Sequence, residues 1–442
     1  MSAGEVQQAV GSRAFYQYAL EASWGTLNPS ANWRKCRLKT GESVDQNLAI
    51  YRSEELRGDR MKNPSVRGSQ NPGGAIPWEL SSQGWNPWLW NLLGGSVTTT
   101  GPVAGVPSPG TPTAAVAGTG GTLPAGTTYQ YEVTAISAAG ETLPSTASAA
   151  ATTTGTTSTI TITWTASTGA IGYRIYGRTT GSFLFMASVG PHTLTWTDLG
   201  LITPVGAAPV SDTSGSIYTH VFAGATDVPV GFTLEKGFTD IGAYIPYYGC
   251  RVNKMSLDFN IDAIAAGSFD ILARQEGDVA QASLNTGAFP TTPMVNPFTS
   301  AQIQVYEGSS LALLGTTRKL KLEIDNDFQG KRGFVLGSTL RQNLRPGDRT
   351  TTVDGDWMFQ NAELYEAAIR GDDVAFRILA TDGIFSFQVD IPSFQFIPNG
   401  STPKAKDTNQ IEISLKGEGD PNSALGSDVQ FTIKTPEASI VT

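Results

Sequence analysis

The sequence predicts an all-β protein with short flanking helices. Three observations carry that expectation. Gly 49 and Pro 25 are abundant, threonine is frequent and long helical patterns are scarce. Several segments alternate apolar and polar residues with period two. The landmarks of one segment recur far downstream, so sandwich or barrel units are expected in tandem.

The alternation is explicit. Met255, Leu257, Phe259 and Ile261 share one face, opposite Lys254, Ser256, Asp258, Asn260 and Asp262. Phe385, Phe387, Val389 and Ile391 oppose Ser386, Gln388 and Asp390, and Ile411, Ile413 and Leu415 oppose Gln410, Glu412, Ser414 and Lys416. Strands of this kind bury one face and wet the other, as in antiparallel sheets.

The recurrence follows chain order. Arg34-Lys35-Cys36-Arg37-Leu38 and Leu56-Arg57-Gly58-Asp59-Arg60 precede a short strand and an aromatic-rich amphipathic run from Trp85 to Leu93. Arg318-Lys319-Leu320-Lys321-Leu322 and Leu344-Arg345-Pro346-Gly347-Asp348-Arg349 precede a short strand and an amphipathic helix from Phe359 to Arg370. In that second helix Leu364, Ala367, Ala368 and Ile369 form the expected apolar stripe, with Tyr365 at its edge and Gly371 as the stop. Two copies of one unit point to a pseudo-symmetric building block, and such blocks make rings.

Composition breaks near Gly101. From Gly101 to Pro209 the only charged residues are Glu132, Glu141, Arg174, Arg178 and Asp198. Pro/Gly/Thr-rich stretches at 97–112 and 203–209 bound an independently folding insert. Expected boundaries are therefore 1–100 for the first part of a unit, 101–209 for the insert, 210–300 for completion of the first unit and 301–442 for the second.

Bulk properties exclude several functions. A net charge of −9 argues against a sequence-reading nucleic-acid binder, which needs a basic face. Cys36 and Cys250 form no disulfide framework and read as reduced thiols; no metal spacing is present and no cofactor is expected. The first ten residues do not read as a signal peptide, and no apolar run reaches the ~20 residues a membrane helix needs. His192 and His220 are the only histidines, which nearly removes a His-based triad, and no carboxylate pair stands out for glycan hydrolysis. No catalytic residue is expected. Arg57-Gly58-Asp59 and Arg370-Gly371-Asp372 spell an integrin-type tripeptide, but chance suffices in so glycine-rich a chain.

The insert reads as strands. Tyr129, Tyr131, Val133 and Ala135 alternate, as do Ile160, Ile162 and Trp164, and then Tyr173, Ile175 and Tyr176. Leu123 to Tyr131, Ala139 to Ser145, Thr161 to Thr165 and Ala170 to Gly177 together resemble a fibronectin type III or related immunoglobulin-like sandwich. Trp164 and Tyr173 would be its core aromatics. Either decoration with weak host-surface adhesion or a passive spacer role fits.

The outer segments resemble the major tail tube proteins of long-tailed (siphophage-type) bacteriophages. Tyr51 to Arg60, Gly73 to Ser81, Trp88 to Gly95, Phe232 to Gly237 and Tyr248 to Leu257 carry the resemblance. It implies a structural virion protein: a β-sandwich with a flanking helix, rings around a lumen, and rings stacked into a tail through which DNA is ejected. The implied partners are copies of itself, tape measure and tail-end proteins, and DNA that passes without specific binding. The implied location is the virion tail, with assembly in the host cytoplasm. With two units per chain, a trimeric pseudo-hexameric ring is expected; six chains with one unit each is the alternative. Lumen candidates on polar strand faces are Glu79, Asp258, Asp262, Asp270 and Glu412. The inter-ring candidate is the loop from Arg57 to Gly74, with Arg57, Asp59, Arg60, Lys62 and Arg67. Rival readings are a tail terminator, a baseplate hub, a capsid decoration protein or a secreted adhesin with a fibronectin domain.

Overall fold

A computed structural model describes residues 13–56, 58–179, 181–289, 294–308, 310–359, 363–397, 403–405, 411–422 and 424–440. The chain forms two compact units. One comprises 1–99, 219–435 and 439–442; the other comprises 100–218 with 436–438. Both are built from antiparallel strands.

In the larger unit the principal elements are β1 (Ala14–Ser23), β2 (Gly73–Glu79), α1 (Asn86–Leu93), β3 (Phe232–Phe238), β4 (Ala243–Asn260) and β5 (Ala266–Leu272). They continue as β6 (Ile303–Glu307), β7 (Thr317–Asp325), β8 (Thr350–Met358), α2 (Glu363–Arg370), β9 (Asp373–Thr381), β10 (Ser386–Ile397), β11 (Ile411–Gly419) and β12 (Gln430–Thr435).

The pairings repeat. β1 pairs β3, β3 pairs β4, β4 pairs β5 and β5 pairs β2. In the same relation β6 pairs β9, β9 pairs β10, β10 pairs β11 and β11 pairs β8. Registers correspond residue by residue. Glu79 faces Ala266 and Gly73 faces Leu272, as Met358 faces Glu412 and Thr352 faces Glu418. Even one bulge recurs: Phe232/Leu234 face Cys250/Tyr247, and Val374/Phe376 face Phe394/Ile391. Trp78 and Trp357 thereby occupy equivalent positions, and both are fully buried.

Those bulges make the corners. The first halves of β4 and β10 belong to one sheet of each repeat and their distal parts to the other. The extra residues at the bend are Tyr248-Gly249 in β4 and Pro392-Ser393 in β10. Gly249 adopts φ +66, which L side chains rarely take. Pro392 has no N–H to give a ladder. Two different residues thus produce the same local interruption.

The motifs that first announced the repeat are not all equivalent. Leu38 pairs with Trp78, whereas Thr317 pairs with Trp357, so Arg34–Leu38 lies upstream of the register position of Arg318–Leu322. Arg34 and Lys35 instead form a short strand against β1. Leu344–Arg349 leads directly into β8, whereas Asp59 and Arg60 lie between two short strands, Leu48–Arg52 and Ser65–Gln70, that precede β2.

α1 was expected to be amphipathic. Seven of its eight residues are buried: Asn86, Pro87, Trp88, Leu89, Asn91, Leu92 and Leu93. Its polar side chains survive burial by bonding: Asn91 Oδ1 accepts from Val252 N–H at 3.0 Å and Asn86 Nδ2 donates to the Ser82 carbonyl at 2.9 Å. Trp78 stacks on Phe269 at 4.8 Å, and Trp85 and Trp88 meet edge to face at 5.4 Å, each such pair adding about 1 kcal/mol beyond burial. The helix ends at Gly94, where φ is +75 and a Cβ would lie 2.4 Å from the Asp227 carbonyl.

α2 buries Ala367 and Ala368 but leaves Ile369 59% exposed. Ile369 therefore does not join the stripe. A step of ~100° per residue carries it onto the flank away from the sheet. Leu364's side chain falls outside the described residues. Ile261, assigned by alternation to the inner face of β4, lies in the following turn and is also exposed.

The smaller unit packs a five-stranded sheet (Ala151–Thr152, Thr128–Ile136, Gly172–Thr179, Ser182–Val189, Val205–Ala207, in that order) against a three-stranded one (Thr195–Asp198, Thr159–Thr163, Thr113–Ala117). Tyr131, Val133, Ile160, Ile162, Trp164, Tyr173 and Ile175 form its core. Trp164 and Tyr173 meet edge to face at 5.6 Å. Four of its charged residues pair: Arg178 forks onto Asp198, and Glu141 accepts from Arg174 and also from Tyr176.

Both cysteines are free, and burial pushes the Cys250 thiol well above its ordinary range. His220 is fully buried in the strand Tyr218–Ala223, its Nδ1 2.8 Å from the Thr99 hydroxyl.

Candidate assembly surfaces

One sheet runs through both repeats. The segment 38–45 bridges to β2 through Leu38 and Asp45. β2 pairs β5, β5 pairs β4, and β4 crosses to β7 over Lys254–Asn260 against Asp325–Lys319. β7 then pairs β8, β8 pairs β11, and β11 pairs the end of β10. That is eight strands in two matching sets of four. The set 38–45/β2/β5/β4 meets the set β7/β8/β11/β10 at the β4–β7 ladder.

One face of this sheet is core: Ile76, Trp78, Phe269, Ile271, Met255, Leu257, Leu320, Leu322, Ile324, Val353 and Trp357 are all buried. The other face is polar. Neighbouring rows carry Glu79, Asp258, Lys321, Asp354 and Lys416; Ser256, Glu323, Thr352 and Glu418; and Asp270, Lys254 and Asp325. Lys319 and Asp356 extend it.

The lysines of this face sit among carboxylates. Lys254 Nζ lies 2.6 Å from Glu323 and 3.8 Å from Asp325, and Lys321 Nζ lies 3.0 Å from Glu323. Partial burial pushes the Glu323 carboxyl up, but hydrogen bonds from both lysines outweigh it and hold the group below its ordinary range. Asp270 is shifted the other way by burial, with Asp325 nearby adding to the effect and Asn253 opposing it. Arg318 pairs with the buried Glu412. Carboxylates outnumber lysines on the face, so it is negative overall.

The sequence-derived candidates distribute clearly. Glu79, Asp258, Asp270 and Glu412 lie on the polar side of this sheet, Glu412 largely covered by its arginine. Asp262 does not: it sits in the turn after β4 at φ +55. Lys254 and Lys416, read from the sequence as polar-face residues, join the other four; Lys321, Glu323, Asp325, Asp354 and Asp356 complete the face and were missed. Alternation within 317–325 and 350–358 is the signal that finds them.

A hairpin of Leu48–Arg52 against Ser65–Gln70 leads into β2. Much of the stretch read as a loop is thus strand, because a complementary segment lies just upstream. Asp59, Arg60, Lys62 and Arg67 are exposed on it; Arg57 lies outside the described residues. Its apolar side chains were missed: Ile50, Tyr51, Leu56, Met61 and Val66 are all exposed. The hairpin base is tied to the matching loop of the second repeat. Gln70 N–H donates to the Thr339 carbonyl at 2.9 Å. The fully buried Arg341 donates to the Pro72 and Gly330 carbonyls, each at 3.2 Å, and to Ala273 and Asn71. Burial pushes its guanidinium down to about 10, so it stays charged at neutral pH.

Among the described residues no cluster of His, Cys, Asp and Glu could hold a metal ion, and no helix is long and apolar enough to cross a membrane. No curated protein matches the chain. The sequence profile of one family, described as phage tail tube protein, matches residues 11–419. With nearly the whole chain covered, and an all-β architecture to go with it, the protein belongs to the phage tail tube protein family, a family of structural components of the virion tail.

Proposed function

We propose that this chain is the major subunit of a phage tail tube, and that three copies close a pseudo-sixfold ring. The single observation that carries this reading is the β4–β7 ladder. It joins the last strand of one four-strand set to the first strand of the next. Among the described residues each copy also offers the same two ends unjoined: the edge of 38–45, and the end of β10 at Phe396–Ile397. Repeating the internal joint between copies removes both edges.

Magnitudes choose the number of copies. With strands about 4.8 Å apart and tilted about 40°, eight strands close to a backbone diameter of roughly 16 Å, sixteen to roughly 32 Å and twenty-four to roughly 48 Å. Inward side chains take roughly 10 Å of each. One copy leaves no channel, and two leave no water around a duplex roughly 20 Å across. Three leave a hydrated passage. Six copies would enclose a far wider one.

The core-bearing side of the sheet carries both helices and the second sheet of each repeat, which would fill the passage if turned inward. The polar face, with Glu79, Asp258 and Asp270, is therefore the proposed wall. Its excess of carboxylates repels phosphates, and its lysines are held by those carboxylates, so DNA passes without sticking. The hairpin with Asp59, Arg60, Lys62 and Arg67 is the proposed inter-ring contact, and its exposed apolar residues supply the area that charges alone do not. The smaller unit is read as a fibronectin type III or immunoglobulin-like sandwich that either decorates the tail or contacts the host surface weakly. Tape measure and tail-end proteins are the remaining partners.

Native mass spectrometry with negative-stain imaging of the purified chain tests the reading. The expected result is discs of three chain masses, stacking into hollow tubes with a sixfold-looking channel. A strictly monomeric species at high concentration overturns it.

A further inference from the structure

The hairpin of Leu48–Arg52 and Ser65–Gln70 is a two-stranded sheet of its own; among the described residues no third strand joins it. Two strands alone are marginal in water, so a hairpin of this kind calls for a covering surface. Its apolar side chains are set for one. Tyr51 faces Val66 across the hairpin, and its ring lies over Gly68 on the diagonal, where a Cβ would collide with it. Tyr51 is nevertheless 60% exposed, and Val66 is equally open. An aromatic ring held in place before contact is the kind of anchor that dominates binding at protein interfaces.

A matching surface lies at the far end of the eight-strand sheet. The hairpin enters β2 at Gly73, which faces Leu272 of β5. From that end the β4–β7 ladder runs from Lys254 and Asp325 to Asn260 and Lys319, just past Glu79 and Ala266 at the other end. Six steps of about 3.4 Å make this roughly 20 Å. There the ladder opens into an apolar groove of about 220 Å³, lined by Phe259, Ile261, Ile303, Val305, Leu313 and Leu320, with Lys319 at its rim. Leu313 is 59% exposed and Ile261 is also open to solvent. Small-molecule sites take about 300–1,000 Å³, so a groove of this size fits a protein side chain better than a metabolite.

We infer that Tyr51 and Val66 of one copy seat in the Ile261–Leu313 groove of a copy in the next ring. The two surfaces differ and lie at opposite ends of one sheet. A contact between unlike patches of identical molecules runs head to tail and repeats without closing, which a stack of rings requires. Charge agrees with the pairing: Glu54 and Glu55 stand exposed just after Tyr51, and Lys319 stands exposed at the groove rim. Exposed ion pairs add little, so the apolar contact is the main attraction and the charges set orientation. A ring of three copies offers three hairpins to three grooves, and each groove is filled once. The inference rests on the ring reading, because only stacked rings bring one end of the sheet against the other end of another copy.

A double variant, Tyr51→Cys with Leu313→Cys, tests it under mild oxidation of the assembled protein, with each single variant as control. The expected result is a covalent ladder on denaturing gels that runs past three chain masses, absent from both singles. A link that crosses rings has no upper limit, whereas a link within a ring of three stops at three. A ladder ending at three chains, tubes without crosslinks, or discs that never stack overturn the groove contact and leave the ring reading standing. Absence of discs from the unmodified chain overturns both. As a second measurement, Tyr51→Asp and, separately, Leu313→Asp are expected to keep the thermal unfolding of the monomer and the three-chain discs in native mass spectrometry, while cutting stacked tubes in negative stain at least tenfold. Tubes formed as readily as by the unmodified chain overturn the groove contact.

Discussion

The two repeats share registers, a bulge and a buried tryptophan, yet they treat their helices differently. α1 is buried almost all round among Trp85, Trp88 and Phe269, whereas α2 leaves Glu366, Ile369 and Arg370 in solvent. Equivalent backbones therefore do not imply equivalent stability. The first repeat completes its core within the chain: Val295 and Phe298, just ahead of the second repeat, are buried, as is Ile440. The second repeat has an exposed isoleucine at each of two matching places, Ile369 on its helix and Ile411 on its sheet. A pseudo-symmetric chain can keep one copy of a fold finished and reserve the other for assembly.

That difference is open to direct attack. The largest effects are expected at the equivalent tryptophans. Trp78→Ala removes the centre of an aromatic cluster and should destabilise the monomer by about 5 kcal/mol, against about 3 kcal/mol for Trp357→Ala. Denaturant titration of both variants checks the order; equal costs break the asymmetry. Next come the helices. Leu92→Ala is expected to cost about 3 kcal/mol and Ile369→Ala under about 0.5 kcal/mol in the monomer. A large loss for Ile369→Ala in thermal unfolding shows that the second helix is packed like the first.

A small, pH-dependent effect is expected at the ladder between repeats. The lowered pKa of Glu323 means the folded chain favours its ionised form. That stabilisation is present above the ordinary glutamate range, near pH ~4.5, and is lost as pH falls through it. Glu323→Gln should therefore cost under about 1 kcal/mol at pH 7 and little near pH 3, the partial exposure keeping the figure small. Stability measured from pH 3 to 7 checks the sign; a variant that loses more at low pH contradicts it.

Period-two patterning made the strands legible. It also put Glu79, Asp258, Asp270 and Glu412 on the polar faces of their strands, because alternation assigns two faces to each strand from the chain alone. It said nothing of partners, so the β4–β7 ladder, which depends on segments more than fifty residues apart, was invisible. Asp262 and Ile261 were misplaced because alternation does not mark where a strand yields to a turn. The burial of α1 was hidden by its two asparagines, whose polarity reads as solvent exposure until their internal bonds are seen. The hairpin's apolar residues were overshadowed by the charges around them.

β4 and β10 each thread a bend and belong to two layers at once. A wall built on such strands is tied to its backing through covalent bonds rather than through side-chain contact alone. Swelling or sliding of the inner layer would drag the outer one with it and tear ladders in both. A conduit lined this way should hold its bore nearly constant under internal pressure and respond to load by tilting whole subunits instead.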